Sequence, residues 1–171
     1  MTTPQAILRE ATLKDAEVIL PNLRPEDRRE LLVSTHEDGL LGVLQTGIHA
    51  SKPALTILVE DEVAGVLGVV PPGFPHDQAN VACIWMVATP AIELVTHQFL
   101  RTCQGIIDHF NDTYPHLMNS VDARNVTHVK WLQWCGFDFQ DVEFRKDINT
   151  GDERLFLSFW RTPECVTPSQ S

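Results

Sequence analysis

Basic residues are scarce in this 171-residue chain. Thirteen lysines and arginines stand against 23 aspartates and glutamates, a formal net charge of −10. That balance argues against a broad electrostatic footprint on nucleic acid or on an anionic membrane. The most basic short stretch, Arg24 to Arg29, is diluted by Glu26 and Asp27. Long apolar runs are missing as well, and none approaches the ~20 residues needed to cross a bilayer. The start, Met1-Thr2-Thr3-Pro4-Gln5, has neither the charged opening nor the apolar run of a signal peptide. Cys83, Cys103, Cys135 and Cys165 form no CxxC pair, so neither a disulfide framework nor a zinc motif is expected. These features predict a reduced, cytoplasmic protein without a metal. Tyr114 is the only tyrosine, and no glycine occurs between Gly73 and Gly105, which removes any glycine-rich loop from the middle of the chain. There is no internal repeat and no low-complexity block.

What is present is a single domain of alternating elements. We place its end near residue 161 and expect a loose polar tail over residues 162–171. Ile7 to Glu10 predicts a short strand. Thr12 then caps a helix, with Asp15 three residues on completing a capping box. Pro25 opens a second helix with Glu26 and Asp27 in its first turn. Leu40, Leu41, Leu44 and Ile48 carry a third, so helices span about Leu13 to Ala50. Ala54 to Glu60 and Val63 to Val70 predict a hairpin around Asp61-Glu62, and Pro71 to Pro75 a rigid loop. Val81 to Val87 predicts a buried strand. A long helix from Thr89-Pro90 to about Asn111 follows from the 3.6-residue spacing of Phe99, Cys103, Ile106, Ile107 and Phe110. The chain closes with a strand at Leu117 to Asp122, a helix at Asn125 to Cys135, and strands at Phe137 to Phe144 and Arg154 to Trp160, with a turn at Asn149 to Gly151. This order predicts an α/β (α+β) fold, a mixed sheet of about seven strands with helices on both faces.

The clearest organising unit is the strand Leu117 to Asp122, Asn125 ahead of a short helix, and Gly136-Phe137 after it. By local rules the Asn125 side chain caps the helix, accepting from the Thr127 or His128 amide. Gly136 is the left-handed residue that ends it. Together with the element order, this unit resembles the GNAT superfamily of N-acetyltransferases. A narrower resemblance lies in Asp27-Arg28-Arg29-Glu30-Leu31, Ile84-Trp85-Met86, His97 to Arg101 and Asn125 to Phe137. These runs are similar to a GNAT-like group encoded by tailed bacteriophages, some labelled acetyltransferases and others internal virion or morphogenesis proteins. The host cytoplasm is the location this implies.

The resemblance implies a splayed pair of parallel strands, Val81–Val87 and Leu117–Asp122, that admits acetyl-CoA as co-substrate for an amine acceptor. Met86, Val87 and Ala88 would supply the strand edge for the pantetheine arm, with Asn125 beside it. The turn from Thr89 into the next helix would cradle the pyrophosphate. Two departures from the family pattern stand out. The glycine-rich cradle is absent, leaving His97 and Arg101, four apart on one helix face, as substitutes for binding phosphate; the alternative is a solvated Arg101 and a His97 bonded to backbone. The position of the family's acidic tyrosine is Leu132, and the Val81–Val87 strand carries no carboxylate. His128 and Asp122 are then the catalytic candidates. A helix-surface role for His128 and a turn-bonding role for Asp122 compete with that reading, and Cys135 is a packed alternative.

Three functions compete. The first is acetyl transfer by direct attack of an amine on the thioester. The second is a non-catalytic module of the same fold, acting by contact with a protein partner in phage assembly or host takeover. The third, a nucleic-acid mimic, rests on the net charge alone. Oligomeric state and the identity of the acceptor are not legible.

Overall fold

A computed structural model describes residues 3–73 and 80–163. The expected tail beyond Pro163, with Cys165, and the Phe74-Pro75 end of the expected rigid loop lie outside the described residues. Seven strands form one sheet in the order β1-β2-β3-β4-β5-β7-β6. They are β1 (Ala6–Glu10), β2 (Ala54–Val59), β3 (Glu62–Val70), β4 (Val81–Ala88), β5 (His116–Asp122), β6 (Asp138–Lys146) and β7 (Glu153–Arg161). Five α-helices accompany them: α1 (Leu13–Ile19), α2 (Pro25–Leu31), α3 (Leu40–Ala50), α4 (Thr96–Thr113) and α5 (Val126–Trp134). The predicted order of elements is the observed one. Among the described residues, no helix is long and apolar enough to cross a membrane.

Local chemistry accounts for several boundaries. The Thr12 amide donates to the Asp15 carboxylate at 2.8 Å, the expected capping contact. Glu60 and Asp61 both take positive φ, 51° and 66°, which is the backbone a tight two-residue hairpin needs between Val59 and Glu62. Gly136 has φ 82° and ends α5 as expected.

Three expectations need correction. The helix after β4 does not run unbroken from Thr89. Pro90–Val95 forms a 3₁₀ segment, and α4 begins only at Thr96. The helical stretch between β1 and β2 is likewise interrupted by short 3₁₀ turns at Leu20–Asn22 and Glu37–Gly39. Thr162, assigned to the loose tail, is buried.

Apolar side chains pack on both sheet faces. Ala16 and Ile19 of α1 and Leu44 and Ile48 of α3 meet Val66 and Val87 on one face. Phe99, Cys103 and Phe110 of α4 and Trp131 and Leu132 of α5 meet Leu117, Val121 and Phe159 on the other. Alternation along the strands delivers neighbours such as Val66 and Leu67 to opposite faces.

The relation between β4 and β5 positions everything that follows. It is the one parallel pairing among the described residues, and it covers only Val81↔His116, Ala82↔Leu117 and Cys83↔Met118. Beyond Cys83 and Met118 the strands part, so Ile84 to Ala88 has no ladder partner on that side. β5 meanwhile pairs with β7 along its whole length beyond that point, from Leu117↔Arg161 to Asp122↔Phe156.

Candidate active site

The fork begins at Asn119. Its side-chain Nδ2 donates to the Ile84 carbonyl at 2.7 Å, and its Oδ1 accepts from the Ser120 amide at 2.8 Å. The two backbone groups that would form the next rung are thus both held by an inserted side-chain amide, which wedges the strands apart. Residues 84, 86 and 88 aim their backbone groups into the opening, by the two-residue alternation of a strand. Ile84 is bridged by Asn119. At Ala88 the carbonyl accepts from the Arg24 amide at 2.8 Å, and the N–H donates to the Asp27 carboxylate at 3.0 Å. Met86 alone keeps its amide and carbonyl without a partner among the described residues.

α2 spans the mouth of the fork. Its first turn grips the end of β4 through Asp27, and the Arg24 amide just before it holds the Ala88 carbonyl. Its last turn reaches the end of β5, where Glu30 accepts from the Asp122 amide in a very short hydrogen bond. The loop after α2 is tied down by the β6–β7 turn. There Asn149 Nδ2 donates to the carbonyls of Leu32 and Thr35 at 2.6 and 3.0 Å.

A largely apolar cavity of about 320 Å³ occupies the fork. Ile84, Trp85 and Met86 of β4 line it, with Asn119 and Ser120 of β5, and Trp131 and Leu132 of α5. Four polar or ionisable groups matter in its wall: Glu30, His128, Asn119 and Arg145. Burial pushes the Glu30 carboxyl up to about 8. The Asp122 amide opposes the shift and the nearby Asp27 and Asp122 charges add to it. Burial lowers the His128 imidazole below its ordinary value, and Asp27 and Arg24 act on it in opposite directions. Burial thus favours the neutral imidazole.

The predicted site residues separate into those at the fork and those away from it. Met86 and Val87 line the cavity, with the Met86 backbone facing the opening. Ala88 lies at the same edge, but its backbone is already bonded to α2. His128 lines the cavity. Asn125 does not cap its helix through its side chain. That expectation fails because Asn125 Nδ2 donates instead to Asp27 Oδ1 at 3.0 Å and lies 3.5 Å from His128 Nδ1, while its buried Oδ1 has no partner among the described residues. The Asp122 carboxylate turns away to Arg124, accepting from its amide at 2.9 Å and from its guanidinium at 2.6 Å. Burial acts to raise Asp122, but Arg124 outweighs it and holds the carboxyl below its ordinary range. His97 and Arg101 are exposed on α4, outside the cavity wall, and Arg101 Nε donates back to the His97 carbonyl at 3.4 Å.

The turn after β4 differs from a phosphate cradle. Pro90 has no N–H, the Ala91 amide donates to Thr89 Oγ1 at 3.3 Å, and the Ile92 amide donates to the Thr89 carbonyl at 3.1 Å. Tyr114 is outside the cavity wall, its hydroxyl donating to the Lys52 carbonyl at 2.7 Å. Cys135 is packed against Cys103, Sγ to Sγ 2.9 Å, and donation to Cys103 together with burial pushes its thiol up.

Sequence reasoning missed Glu30, Asn119 and Arg145. Glu30 reads as one charge in a solvated Asp-Arg-Arg-Glu run. Its spacing from Asp27, three residues along the same helix, is the one signal that both carboxylates share a face.

The sequence matches no family model and no curated protein. Solved structures do match. An acetyltransferase of the GNAT family from Streptococcus pneumoniae superposes with TM-score 0.66 at 15% identity, over 92% of this chain and 99% of that one. A spermidine N-acetyltransferase from Vibrio cholerae, in complex with CoA and spermine, gives 0.66 at 16%, over 94% and 96%. AAC(6')-Ib, in complex with ribostamycin and coenzyme A, gives 0.65 at 14%, covering 98% of each chain. At such identities the likeness speaks to architecture, and it establishes that this chain has the fold of the GNAT acetyltransferases.

Proposed function

We propose that the protein is an N-acyltransferase that passes an acetyl group from acetyl-CoA to an amine. One observation carries the reading: a single cavity, opened by the parting of β4 and β5, brings together Glu30 and His128. The residues at the fork fit an extended thioester arm. Such an arm can lie alongside β4 as an added strand, and the unpaired amide and carbonyl of Met86 are what it would bond. His97 and Arg101 are the cationic candidates for its phosphates, since the amides of the Thr89 turn are committed.

When bound, acetyl-CoA supplies a thioester carbonyl open to attack by an amine. Glu30 accepts a proton from the incoming ammonium, and a carboxyl titrating near 8 is matched to that task. His128 acts as a neutral N–H donor. With Nδ1 facing the Asn125 amide, the ring proton sits on Nε2, and a neutral imidazole N–H can polarise a carbonyl without itself titrating. Asp27 and Asn125 set the tautomer and position of that ring. Asp122, bonded to Arg124, serves the turn. The bacteriophage-type subgroup and the host-cytoplasm location belong to this proposal through the sequence resemblance.

A second reading, a module that works by contact with a protein partner, draws on the committed amides of the Thr89 turn. Titration calorimetry with CoA and acetyl-CoA, followed by a thiol-release assay across a panel of amines, separates the two. Heat of binding and amine-dependent thiol release are expected. Absence of both heat and thermal shift at millimolar CoA would overturn acyl transfer and leave the contact reading.

A further inference from the structure

We propose that the acceptor at this site is a free α-amino acid with an apolar side chain, its ammonium held at Glu30 and its carboxylate on Arg145. This rests on the acyl-transfer reading above and narrows it.

Glu30 and Arg145 line the same cavity from opposite partners, α2 and β6. They are not ion-paired with each other, although the Arg145 charge reaches Glu30 and opposes its upward shift. The gap between them is too wide for a direct salt bridge, and an amino acid lying in it brings an ammonium whose charge favours the ionised form of Glu30. Arg145 is also prepared for a carboxylate. Its guanidinium lies over the Phe156 ring with Cζ 4.3 Å from the centroid, which fixes the plane of the fork. Its Nε is taken by Glu143. The two terminal nitrogens have no hydrogen-bond partner among the described residues, so a parallel pair of donors remains for a bidentate contact. Glu143 offsets part of the positive charge, which favours a monoanionic carboxylate over a dianionic phosphate. That wall is otherwise mainly apolar, with Leu31, Val43, Trp85 and Phe156, and carries two hydroxyl residues, Ser34 and Thr35. A second cationic group on the acceptor, as in a polyamine, would find no carboxylate other than Glu30 in the cavity wall.

The reaction balances without a further reagent. A C–N bond forms at the α-nitrogen and the thioester C–S bond breaks. One ammonium proton passes to Glu30 before attack, and the second amine proton ends on the departing sulfur.

The test compares leucine, leucinamide and isoamylamine as acceptors for the wild-type protein and for Arg145→Met, which keeps an unbranched stem over Phe156. Leucinamide is the sharper control, because its less basic amine needs less help from Glu30 and would be favoured if the carboxylate were ignored. The expected result is a kcat/KM for leucine about tenfold or more above that for leucinamide, falling to near parity in Arg145→Met through a rise in KM for leucine. Thermal shift of the protein with leucine alone, lost with leucinamide and in Arg145→Met, gives a readout independent of turnover. Amine acetylation with no preference for the carboxylate would overturn the acceptor assignment and leave acyl transfer standing. An Arg145-dependent leucine shift without any CoA binding would uphold the amino-acid site and overturn acyl transfer. No shift and no turnover would overturn both.

Discussion

Asn119 stands between two strands as a substitute rung, its Nδ2 on the Ile84 carbonyl at 2.7 Å. The same side chain accepts from the Ser120 amide, so it behaves as an extra peptide group inserted in the ladder. Alanine at this position would leave a carbonyl and an N–H facing each other across a narrowing gap. The expected outcome of Asn119→Ala is a loss of about 1–3 kcal/mol where the groups stay unpaired. A smaller loss is expected where the strands zip one rung further. Where they zip, CoA affinity falls, because the fork narrows at its root. Denaturant unfolding and CoA calorimetry check the two effects, and unchanged CoA affinity would show that the wedge is dispensable.

Asp27 is the hub of the opposite end. One buried carboxylate serves the Ala88 amide, the Asn125 side chain and the Arg24 guanidinium, whose closest approaches are 3.0, 3.0 and 3.4 Å. Arg24 in turn lies over Trp131, with Cζ 5.1 Å from the ring centroid. Removing the carboxylate strands the Ala88 N–H and leaves the buried Arg24 cation only its longer approach to Glu26, at 3.7 Å. Asp27→Ala is expected to destabilise the fold by about 3–5 kcal/mol. Asp27→Asn, which can still accept from Ala88, should lose clearly less. Equilibrium unfolding in urea checks the order of the two variants, and an equal loss would mean that the charge itself is what matters.

These two residues also show how far the sequence could be read. Although the turn expected around Asp61-Glu62 sits one residue earlier, at Glu60 and Asp61, strands and the β2–β3 hairpin were legible because apolar alternation and turn chemistry are local. So was Gly136, where only a left-handed residue closes the helix. Asn125 was read by the same local rule and came out differently, because a partner 98 residues away claims its amide. Asn119 looked like any polar strand residue, and its role exists only because β4 and β5 meet there in parallel. Glu30 has no local mark of a site residue, because its place depends on α2 lying across the mouth of the fork. Even Thr89-Pro90, a sound helix start, led into a 3₁₀ segment, since Thr89 is fixed by the sheet through its amide on the Ala64 carbonyl at 2.9 Å.

His128 gives a prediction separable from folding. Its imidazole is held below the ordinary value by burial, so charging it in the folded state is unfavourable. The unfolded chain binds the proton more readily, and stability from this group is lost as pH falls through the unfolded value near 6.5. His128→Gln retains an N–H donor and should keep part of the activity. His128→Phe should lower kcat about 10²-fold with less change in KM, because the donor acts mainly on charge that develops during attack. Steady-state kinetics on the three proteins checks the order, and a His128→Phe variant with wild-type kcat would remove the imidazole from the mechanism.

Glu30 links stability and activity to pH with opposite signs. Its carboxyl titrates near 8 in the folded protein against an ordinary value of 4.5. Between those two values the folded state holds a proton that the unfolded chain has released. The contribution of Glu30 to stability is therefore fully present below about pH 4.5 and is lost as pH rises through about 8. Glu30→Gln cannot lose a proton, so its melting temperature relative to wild type should climb over the same interval and level off above it. Activity should move the other way. The base form appears only as pH approaches 8, so kcat/KM should rise with pH to a plateau there. In Glu30→Gln the rate should fall about 10²-fold and the rising limb should vanish. A variant that is more stable at high pH yet inactive is the signature of a carboxyl kept in the fork for its chemistry. One that keeps both the rate and the limb would place the base elsewhere.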